Sequence, residues 1–323
     1  MVMHISDETQ ASNTKLTALF VDDDERILRS LHMLFRNELN VITATSGHEA
    51  IEHIQCTPVH VVVSDQRMPG MMGIELLRNV KAISPNTIRI LLTGYSELTA
   101  IVGSVNDGEI FRFINKPWDP QEIRKTVRKA AEIAKQLERT HYLNTHPLQN
   151  LEPNVNKLGV LVIDNDETTL DMVRKIVEPD HFVVWGNSLD QAFELLTCHN
   201  IGIVVSELKL NGHDTSAAIK MLKRYKPGIL TVITTSFQDT TTLIELINEG
   251  QVYRVLPKPL RQGLLEISLQ STLRQHRLVD RTPQLVRRYQ VETPHNKALS
   301  VSTRIMGYLR KIQQHTQNPS AVA

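Results

Sequence analysis

The sequence predicts an α/β protein with two tandem domains, each a five-stranded, parallel, doubly wound sheet, followed by a short helical C-terminal tail. Short apolar runs alternate with segments whose apolar residues recur at helical spacing. Several of these runs end in a polar or charged residue. The whole pattern then returns without a gap at an offset of 142 positions, as between Asp22 and Asp164. A period this long indicates a repeated domain, because solenoid units span roughly 20–50 residues.

The first copy contains five alternations of strand and helix. Its predicted strands are Leu16–Val21, Val41–Ala44, Val59–Ser64, Ile88–Leu92 and Ile110–Ile114. Apolar residues three or four positions apart predict a helix after each strand, the weakest over about Leu98–Asn106. Pro120 lies in the first turn of the last helix, whose apolar stripe continues through Leu137. This helix has two open interpretations: a solvated amphipathic helix, or a dimerising or signal-transmitting one.

The domain boundaries follow from the repeat and from the composition between its copies. We expect a flexible N-terminus at 1–14, a first domain at 15–140, a linker rich in proline and asparagine at 141–157, a second domain at 158–278 and a basic helical tail at 279–323. From Ser271 to Ala323, nine basic and two acidic residues give a net charge of +7, against +1 for the whole chain.

Hydropathy and cysteine content indicate the cellular compartment of the protein. No apolar run reaches the roughly 18 residues of a membrane-spanning helix, and the N-terminus lacks the apolar stretch of a signal peptide. We therefore expect a cytoplasmic protein that does not cross a membrane. Cys56 and Cys198 occupy equivalent positions in the two copies, and we expect both to be reduced and partly buried.

Polar side chains gather at the ends of the predicted strands of the first copy. They are Asp22, Asp23, Asp65, Thr93 and Lys116. Because ligands of open α/β sheets bind at the carboxyl ends of the strands, we expect these side chains to form one site. Taken singly, each is an ordinary cap or turn residue, and Asp24 is in position to cap the first helix. As a group they suit phosphoryl transfer to a carboxylate, which needs a divalent cation, cationic donors and positioning.

Four motifs in order carry a family resemblance. They are Val21-Asp-Asp-Asp24, Ser64-Asp-Gln-Arg-Met-Pro-Gly70, Leu92-Thr-Gly94 and Asn115-Lys-Pro117. Over Leu16–Leu137 the chain resembles the receiver domain of bacterial two-component response regulators, which implies a flavodoxin-like fold, and the repeat extends the resemblance to about Arg274. The residues around the motifs are similar to receivers of HD-GYP cyclic-di-GMP phosphodiesterases and of hydrogenase-regulating activators. Because receivers and output domains are modular, this narrower similarity does not fix the output.

The resemblance implies a catalytic role for three residues and a switch role for two. Asp65 would be the phosphoacceptor, and Lys116 would bind the phosphoryl oxygens. Thr93 would move toward the phosphoryl group, and the aromatic side chain of Phe113 would move with it.

The resemblance also implies a magnesium site. Mg²⁺ would be held by Asp22, Asp23 and Asp65 together with the backbone carbonyl of Arg67, in keeping with the preference of Mg²⁺ for oxygen ligands. Pro117 matches a family proline that often follows a cis peptide bond.

The second copy lacks part of this set. Its equivalent residues are Asp164, Asn165, Glu207, Thr235 and Lys258, with Val255 in place of the aromatic residue. Glu207 extends the carboxylate by one methylene, a displacement of more than about 1 Å, which can cost about a hundredfold in rate. We therefore expect this degenerate site not to react. Either a Glu207–Lys258 ion pair holds the domain in one fixed state, or the site has drifted in a domain kept for docking or dimerisation.

The leading hypothesis is a response regulator without an enzymatic output domain. Asp65 would accept a phosphoryl group from a sensor histidine kinase or a histidine phosphotransfer protein. A downstream protein would then read the face around Thr93, Tyr95 and Phe113. The protein would catalyse only its own phosphotransfer and dephosphorylation, and a homodimer is an open possibility.

Two alternative functions remain open at this stage. The first is a transcription regulator that contacts DNA through the basic tail, and the second is a phosphate sink or relay intermediate. The tail contains two predicted helical segments, Gln284–Arg288 and Ala298–Ile312. Because a DNA-binding helix-turn-helix needs more chain than this, nucleic acid is not the expected partner.

Overall fold

The computed structural model describes residues 15–94, 106, 109–144, 157–178, 180–236, 240–250, 252–281, 307, 308 and 310. The strands of the first domain are β1 (Thr17–Val21), β2 (Asn40–Ala44), β3 (Val61–Asp65), β4 (Ile88–Thr93) and β5 (Arg112–Asn115). Its helices are α1 (Glu25–Phe35), α2 (Gly47–Cys56), α3 (Gly73–Ile83) and α4 (Pro120–Asn144). All strand pairs are parallel, in the order β2-β1-β3-β4-β5. The predicted doubly wound sheet is therefore confirmed.

The second domain repeats this plan. Its strands are β6 (Gly159–Ile163), β7 (Phe182–Gly186), β8 (Ile201–Glu207), β9 (Lys209–Leu210), β10 (His213–Asp214), β11 (Leu230–Thr235) and β12 (Arg254–Pro257). Its helices are α5 (Glu167–Val177), α6 (Leu189–Cys198), α7 (Ser216–Tyr225), α8 (Thr240–Glu245) and α9 (Gln262–Arg281), with a π-helical turn at Leu246–Gly250 after α8. The parallel sheet has the order β12-β11-β8-β6-β7, and β9 and β10 form a separate antiparallel hairpin.

Helices cover both faces of each parallel sheet, so successive side chains of a strand are all buried. The strands are therefore continuously apolar. In β1, for example, Leu19 belongs to one core cluster and Phe20 to the cluster on the opposite face. The stripe of α4 is part of this second cluster, with Ile123, Val127 and Ala130 fully buried. The stripe is therefore core of the first domain and not a free seam for another chain.

The repeat extends to the capping of the helices. Asp24 caps α1 by accepting a hydrogen bond from the Arg26 backbone N–H, and Asp166 caps α5 in the same way. Ser46 and Ser188 are the equivalent caps of α2 and α6. An N-cap side chain satisfies a backbone donor that the helix leaves unpaired, so both copies position the segments after their first and second strands alike.

The two domains touch along the edges of their sheets. Strands β5 and β12 are edge strands. One apolar cluster contains Ile110 and Phe113 from the first domain together with Leu246, Ile247 and Val255 from the second. The two domains therefore share buried apolar surface.

Several predictions fall at the margins of the described residues. The weak helix over Leu98–Asn106 lies outside them, except for Asn106, whose backbone is helical. Tyr95 and most of the two tail segments also lie outside. In the tail, Tyr308 is partly buried against the second-domain cluster that contains Phe193 and Leu196.

The expected partial burial of the cysteines is wrong. Cys56 and Cys198 are both free and exposed. Each is the last residue of an amphipathic helix. In the described parts of the chain, none of the helices combines the length and the apolar character that spanning a bilayer requires.

Candidate functional site

The carboxyl ends of β1, β3 and β5, three strands of the same sheet, bring Asp22, Asp65 and Lys116 into contact. Asp22 follows β1, Asp65 ends β3, and Lys116 follows β5. The ammonium group of Lys116 lies 2.8 Å from Oδ2 of Asp22 and also contacts Oδ1 of Asp65. Two carboxylates therefore share one cation.

Backbone donors fix the orientation of both carboxylates. Oδ1 of Asp22 accepts a hydrogen bond from the Asp24 N–H at 2.9 Å, and Oδ2 of Asp65 accepts one from the Arg67 N–H at 2.7 Å. Both side chains are nearly inaccessible, with Asp22 1% and Asp65 6% exposed. The Ser64 hydroxyl donates to the Asp65 carbonyl at 2.8 Å. Hydrogen bonds to the backbone therefore hold both carboxylates in a fixed orientation.

Thr93 ends β4, and Phe113 lies on the adjacent strand, where Leu91 is its register partner. Both residues are buried. The Thr93 hydroxyl donates to the Gly94 carbonyl at 3.3 Å. Thr93 therefore lies at the carboxyl edge that carries Asp65, whereas Phe113 lies two residues before the end of β5.

Asp23 stands apart from this group. Its side chain is exposed, whereas the preceding Asp22 is buried. Successive residues at a strand end point to different sides, so only one of the pair turns toward Lys116. The sequence places both aspartates at the edge, but the structure brings only Asp22 into contact with Lys116.

Burial and neighbouring charges oppose one another at this site. Burial raises the pKa of Asp65, and the negative charge of Asp22 adds to this, while Lys116 acts in the opposite direction. Burial lowers the pKa of Lys116, but its bonds to Asp22 and Asp65 outweigh that effect, so the pKa lies above its usual value. Lys116 is therefore a permanent cation beside the two carboxylates.

The donor set can be compared with the needs of Mg²⁺. Within the described ranges, no three His, Cys, Asp or Glu side chains are grouped closely enough to hold a metal ion. Mg²⁺ is nevertheless commonly bound by one or two carboxylates, with water and phosphate oxygens as the remaining ligands. Asp22 and Asp65 supply two carboxylates on adjacent strands, so the oxygen donors at this edge fit Mg²⁺ in type and number.

Gly73 is a site residue that was not predicted. A Cβ at this position would lie 2.0 Å from the backbone carbonyl oxygen of Asp65. The Gly73 N–H donates to the Gln66 carbonyl at 3.0 Å, and the Ile74 N–H donates to the Gln66 side chain at 3.1 Å. The start of α3 is therefore pressed against the backbone of Asp65, an approach that a glycine permits. Its position after Met-Met in the loop was the available signal.

The second site keeps the ionic core of the first. The ammonium group of Lys258 lies 2.9 Å from Oδ2 of Asp164 and 2.9 Å from Oε1 of Glu207. Burial raises the pKa of Glu207 against the effect of Lys258. The Asp166 N–H donates to Asp164 at 3.0 Å, and the Ser206 hydroxyl donates to the Glu207 carbonyl at 3.1 Å. The longer glutamate therefore still reaches the lysine.

The surroundings of Glu207 differ more than the ion pair does. Thr215 occupies the position of Gly73, and its hydroxyl donates to the Glu207 carbonyl at 2.8 Å. The β9–β10 hairpin turns at Asn211 and Gly212, which have φ values of 50° and 80°. The exposed side chain of Asn165 donates to that of Asn211 at 3.3 Å, and Asn211 in turn donates to the Asn187 carbonyl at 3.2 Å. These amides link the loop to the position equivalent to Asp23.

Comparison with known proteins agrees with this geometry. Two segments, residues 18–128 and 160–270, match the response regulator receiver domain. The chain belongs to this family. The two matches together cover more than half of its length, so both halves are receivers, which we call the first and second receiver. The second is degenerate at the positions of Asp23, Asp65 and Phe113.

Among its relatives, the hydrogenase transcriptional regulatory protein HoxA of Cupriavidus necator is 38% identical over 121 residues, which cover 38% of this chain and 25% of HoxA. The C4-dicarboxylate transport transcriptional regulatory protein DctD of Rhizobium meliloti is 26% identical over 64% of this chain and 48% of its own length. Sporulation initiation phosphotransferase F of Bacillus subtilis is 36% identical over 34% of this chain and 90% of its own length. The chain thus spans a quarter to a half of the two transcriptional regulators. Their names lend no support to the expectation that nucleic acid is not a partner.

Solved receiver structures are also similar to one half of the chain. The signal receiver domain of an HD domain-containing protein from Pseudomonas fluorescens Pf-5 is 34% identical, with a TM-score of 0.36, over 38% of this chain and 98% of that structure. A response regulator receiver domain protein from Clostridium thermocellum is 29% identical, with a TM-score of 0.36, over the same shares of the two chains.

Proposed function

We propose that this protein is a response regulator in which Asp65 accepts a phosphoryl group and which signals by protein–protein interaction. The phosphodonor would be a phosphohistidine of a sensor histidine kinase or of a histidine phosphotransfer protein. The observation that carries the proposal is the contact of Lys116 with both Asp22 and Asp65 at the carboxyl ends of adjacent strands. We do not assign it any reaction beyond its own phosphotransfer and dephosphorylation.

The residues of the first receiver have distinct roles in the proposed step. An oxygen lone pair of the Asp65 carboxylate attacks phosphorus and forms the new P–O bond. The P–N bond of the phosphohistidine breaks, and its electron pair stays on the imidazole nitrogen. Lys116 balances the charge on the phosphoryl oxygens, and the Arg67 N–H keeps the carboxylate oriented. The Thr93 hydroxyl then exchanges its bond to Gly94 for one to the phosphoryl group.

We propose that the carboxylates of Asp22, Asp23 and Asp65 and the backbone carbonyl of Arg67 would hold Mg²⁺. The ion, when bound, neutralises the charge that develops on the phosphoryl oxygens. Asp22 is already turned to this point by the Asp24 N–H. This assignment rests on the donor types and on their common edge of the sheet.

We propose that the second receiver does not accept a phosphoryl group. Its carboxylate is one methylene longer, and Thr215 is buried against the Glu207 carbonyl. On the exposed side of the site, Asn165 donates to Asn211, and Asn211 donates to the Asn187 carbonyl. An entering phosphoryl group would have to displace the bonds of these asparagines. We also propose 15–140 and 158–278 as the extents of the two receivers, joined by a linker at 141–157.

Intact mass spectrometry tests the proposal directly. Wild type and Asp65→Asn are incubated with Mg²⁺ and acetyl phosphate, which transfers a phosphoryl group to a carboxylate without a kinase. We expect one added phosphoryl group on the wild type and none on Asp65→Asn. Two additions on the wild type would show that the second receiver is reactive, and an unlabelled wild type that also resists candidate kinases would overturn the proposal.

A second candidate function is transcription regulation, because HoxA and DctD are named as transcriptional regulators. It would rely on the basic tail for contact with DNA. Binding of DNA that weakens steeply with salt and disappears when residues 294–323 are removed would support it. Lack of binding at low salt would eliminate it.

A further inference from the structure

Each receiver uses one asparagine side chain to cover the free edge of the other receiver's sheet. The Asn248 amide accepts from the Phe113 N–H at 2.9 Å and donates to the Phe113 carbonyl at 2.9 Å. The Asn106 amide accepts from the Val255 N–H at 2.8 Å and donates to the Val255 carbonyl at 2.5 Å. An amide that pairs both backbone groups of one residue replaces the neighbouring strand that an edge residue lacks.

These contacts form a pseudo-two-fold interface within one chain. Asn248 is the repeat equivalent of Asn106, and Val255 is the equivalent of Phe113. A surface that pairs residue i with j and j with i is self-complementary, as in a symmetric dimer. Here the two halves of the dimer are the two receivers of one molecule. Asn106, Phe113 and Val255 are all buried, so these bonds are shielded from water.

Charged and apolar contacts surround the two asparagines. The Tyr253 hydroxyl donates to Glu109 across the interface at 3.2 Å, and Lys81 pairs with the same carboxylate at 2.8 Å. The guanidinium of Arg254 donates to the Asn106 carbonyl. Burial, followed by the charge of Glu109, raises the pKa of Tyr253, so this hydroxyl remains a donor. The interface is therefore polar at both asparagines and apolar between them.

The clamped strand β5 is also the strand that leads to Lys116, the cation in contact with the proposed phosphoacceptor Asp65. Phe113 lies in the four-residue strand β5, and Lys116 directly follows that strand. Lys116 contacts Asp65. Phosphorylation replaces a singly charged carboxylate by a group of about −1.5 to −2 charge with several acceptor oxygens. Phosphorylation therefore changes the electrostatic attraction on Lys116, which lies three residues after Phe113, the residue that Asn248 binds.

We infer that the second receiver is the built-in partner of the β5 edge of the first, and that phosphorylation of Asp65 weakens this docking. The inference rests on the proposed function, because it requires Asp65 to accept a phosphoryl group. In the docked arrangement the second receiver covers the edge of β5. When the two receivers separate, this edge and the apolar surface around Phe113 become accessible to another protein. Because coupling between two equilibria is reciprocal, loosening the dock also favours phosphorylation.

Hydrogen exchange at the Val255 amide tests whether the interface opens as a unit. The Asn248→Ala variant loses the two bonds to Phe113 but keeps Asn106, the direct partner of Val255. We expect the Val255 amide to exchange roughly tenfold faster in this variant. The lost net stabilisation of two hydrogen bonds raises the equilibrium constant for opening by a factor of about ten or more. Asn106→Ala, read at the Phe113 amide, is the reciprocal measurement. Asn200 is an exposed asparagine of the same receiver that directly precedes β8, a strand separated from β12 by β11. The control variant Asn200→Ala should leave both amides unchanged.

Phosphorylation supplies the second arm of the experiment, on full-length protein with its labelling checked by intact mass. We expect Mg²⁺ and acetyl phosphate to accelerate exchange at Val255 roughly tenfold in the wild type, and Asn248→Ala to reach half-labelling at several-fold lower acetyl phosphate. A singly labelled wild type with unchanged Val255 exchange would overturn the coupling and leave the proposed function intact. A wild type that takes no label would overturn both. Unchanged exchange at Val255 in Asn248→Ala and at Phe113 in Asn106→Ala would show that the asparagines do not hold the receivers together.

Discussion

Replacement of Gly73 by alanine should slow the phosphorylation of Asp65 while the protein still folds. The added Cβ would lie 2.0 Å from the Asp65 carbonyl oxygen, 2.8 Å from its carbonyl carbon and 2.9 Å from a Leu91 methyl group. Ordinary contact begins near 3.4 Å, so α3 and the end of β3 must move apart by about 1.4 Å. Overpacking of this kind costs about 1–3 kcal/mol of stability. A displacement of about 1 Å at a reacting group costs about a hundredfold in rate.

We therefore expect Gly73→Ala to fold but to be phosphorylated about a hundredfold more slowly. The assay is the time course of acetyl phosphate labelling by intact mass, with circular dichroism and thermal unfolding as the check on folding. Gly263→Ala is the matched control, because a Cβ there meets no heavy atom within 4 Å. A folded Gly73→Ala protein labelled at the wild-type rate would refute the conclusion that this glycine positions Asp65.

Two further predictions concern the second receiver. Burial lowers the pKa of Lys223 to about 7, whereas the unfolded chain holds that proton to about pH 10.4. The unfolded state thus binds more protons between these values, so the free energy of unfolding should rise with pH, by up to roughly 1.4 kcal/mol per unit for this group. Urea unfolding from pH 7 to pH 9 should show a smaller rise in Lys223→Met, and equal slopes would contradict the assignment. In the Asn165→Asp, Glu207→Asp double variant we expect intact mass spectrometry to show no second phosphoryl group. The reason is that Thr215 and Asn211 still bind the backbone around the site. A doubly labelled protein would show that Asn165 and Glu207 alone prevent phosphorylation of the second receiver.

The fold and the first site were largely predictable from the sequence, because each depends on local patterns. Apolar runs that end in Asp22, Asp65 and Thr93 specify buried parallel strands, and parallel strands deliver their carboxyl ends to one edge. The capping role of Asp24 is equally local. The exposure of Asp23 was not predictable, because adjacent aspartates look alike in a sequence and differ only in the direction of their side chains.

Two buried basic side chains, Arg89 and Lys223, show that residues at equivalent repeat positions do not always have equivalent roles. In the first receiver the guanidinium of Arg89 donates to the Pro85 and Thr87 carbonyls, at 3.3 Å and 2.6 Å. In the second, the ammonium group of Lys223 donates to the equivalent carbonyls, at 3.0 Å for that of Pro227. Lys223 is the repeat equivalent of Lys81 and not of Arg89. The equivalent carbonyls therefore receive their hydrogen bonds from a strand residue in the first receiver and from a helix residue in the second. Which residue reaches them depends on how the elements pack.

The sequence by itself determined two receivers, the full set of motif residues in the first and the altered set in the second, and the order of the elements that carry them. These features follow from side-chain periodicity and from motifs within a few residues of one another. The tertiary structure alone decided that Gly73 is pressed against Asp65, that Thr215 binds the equivalent carbonyl, and that Asn106 and Asn248 clamp the opposite sheets. Each of these contacts joins residues whose distance depends on how helices and domains pack, and packing is set by the sum of many weak contacts between segments remote in the chain.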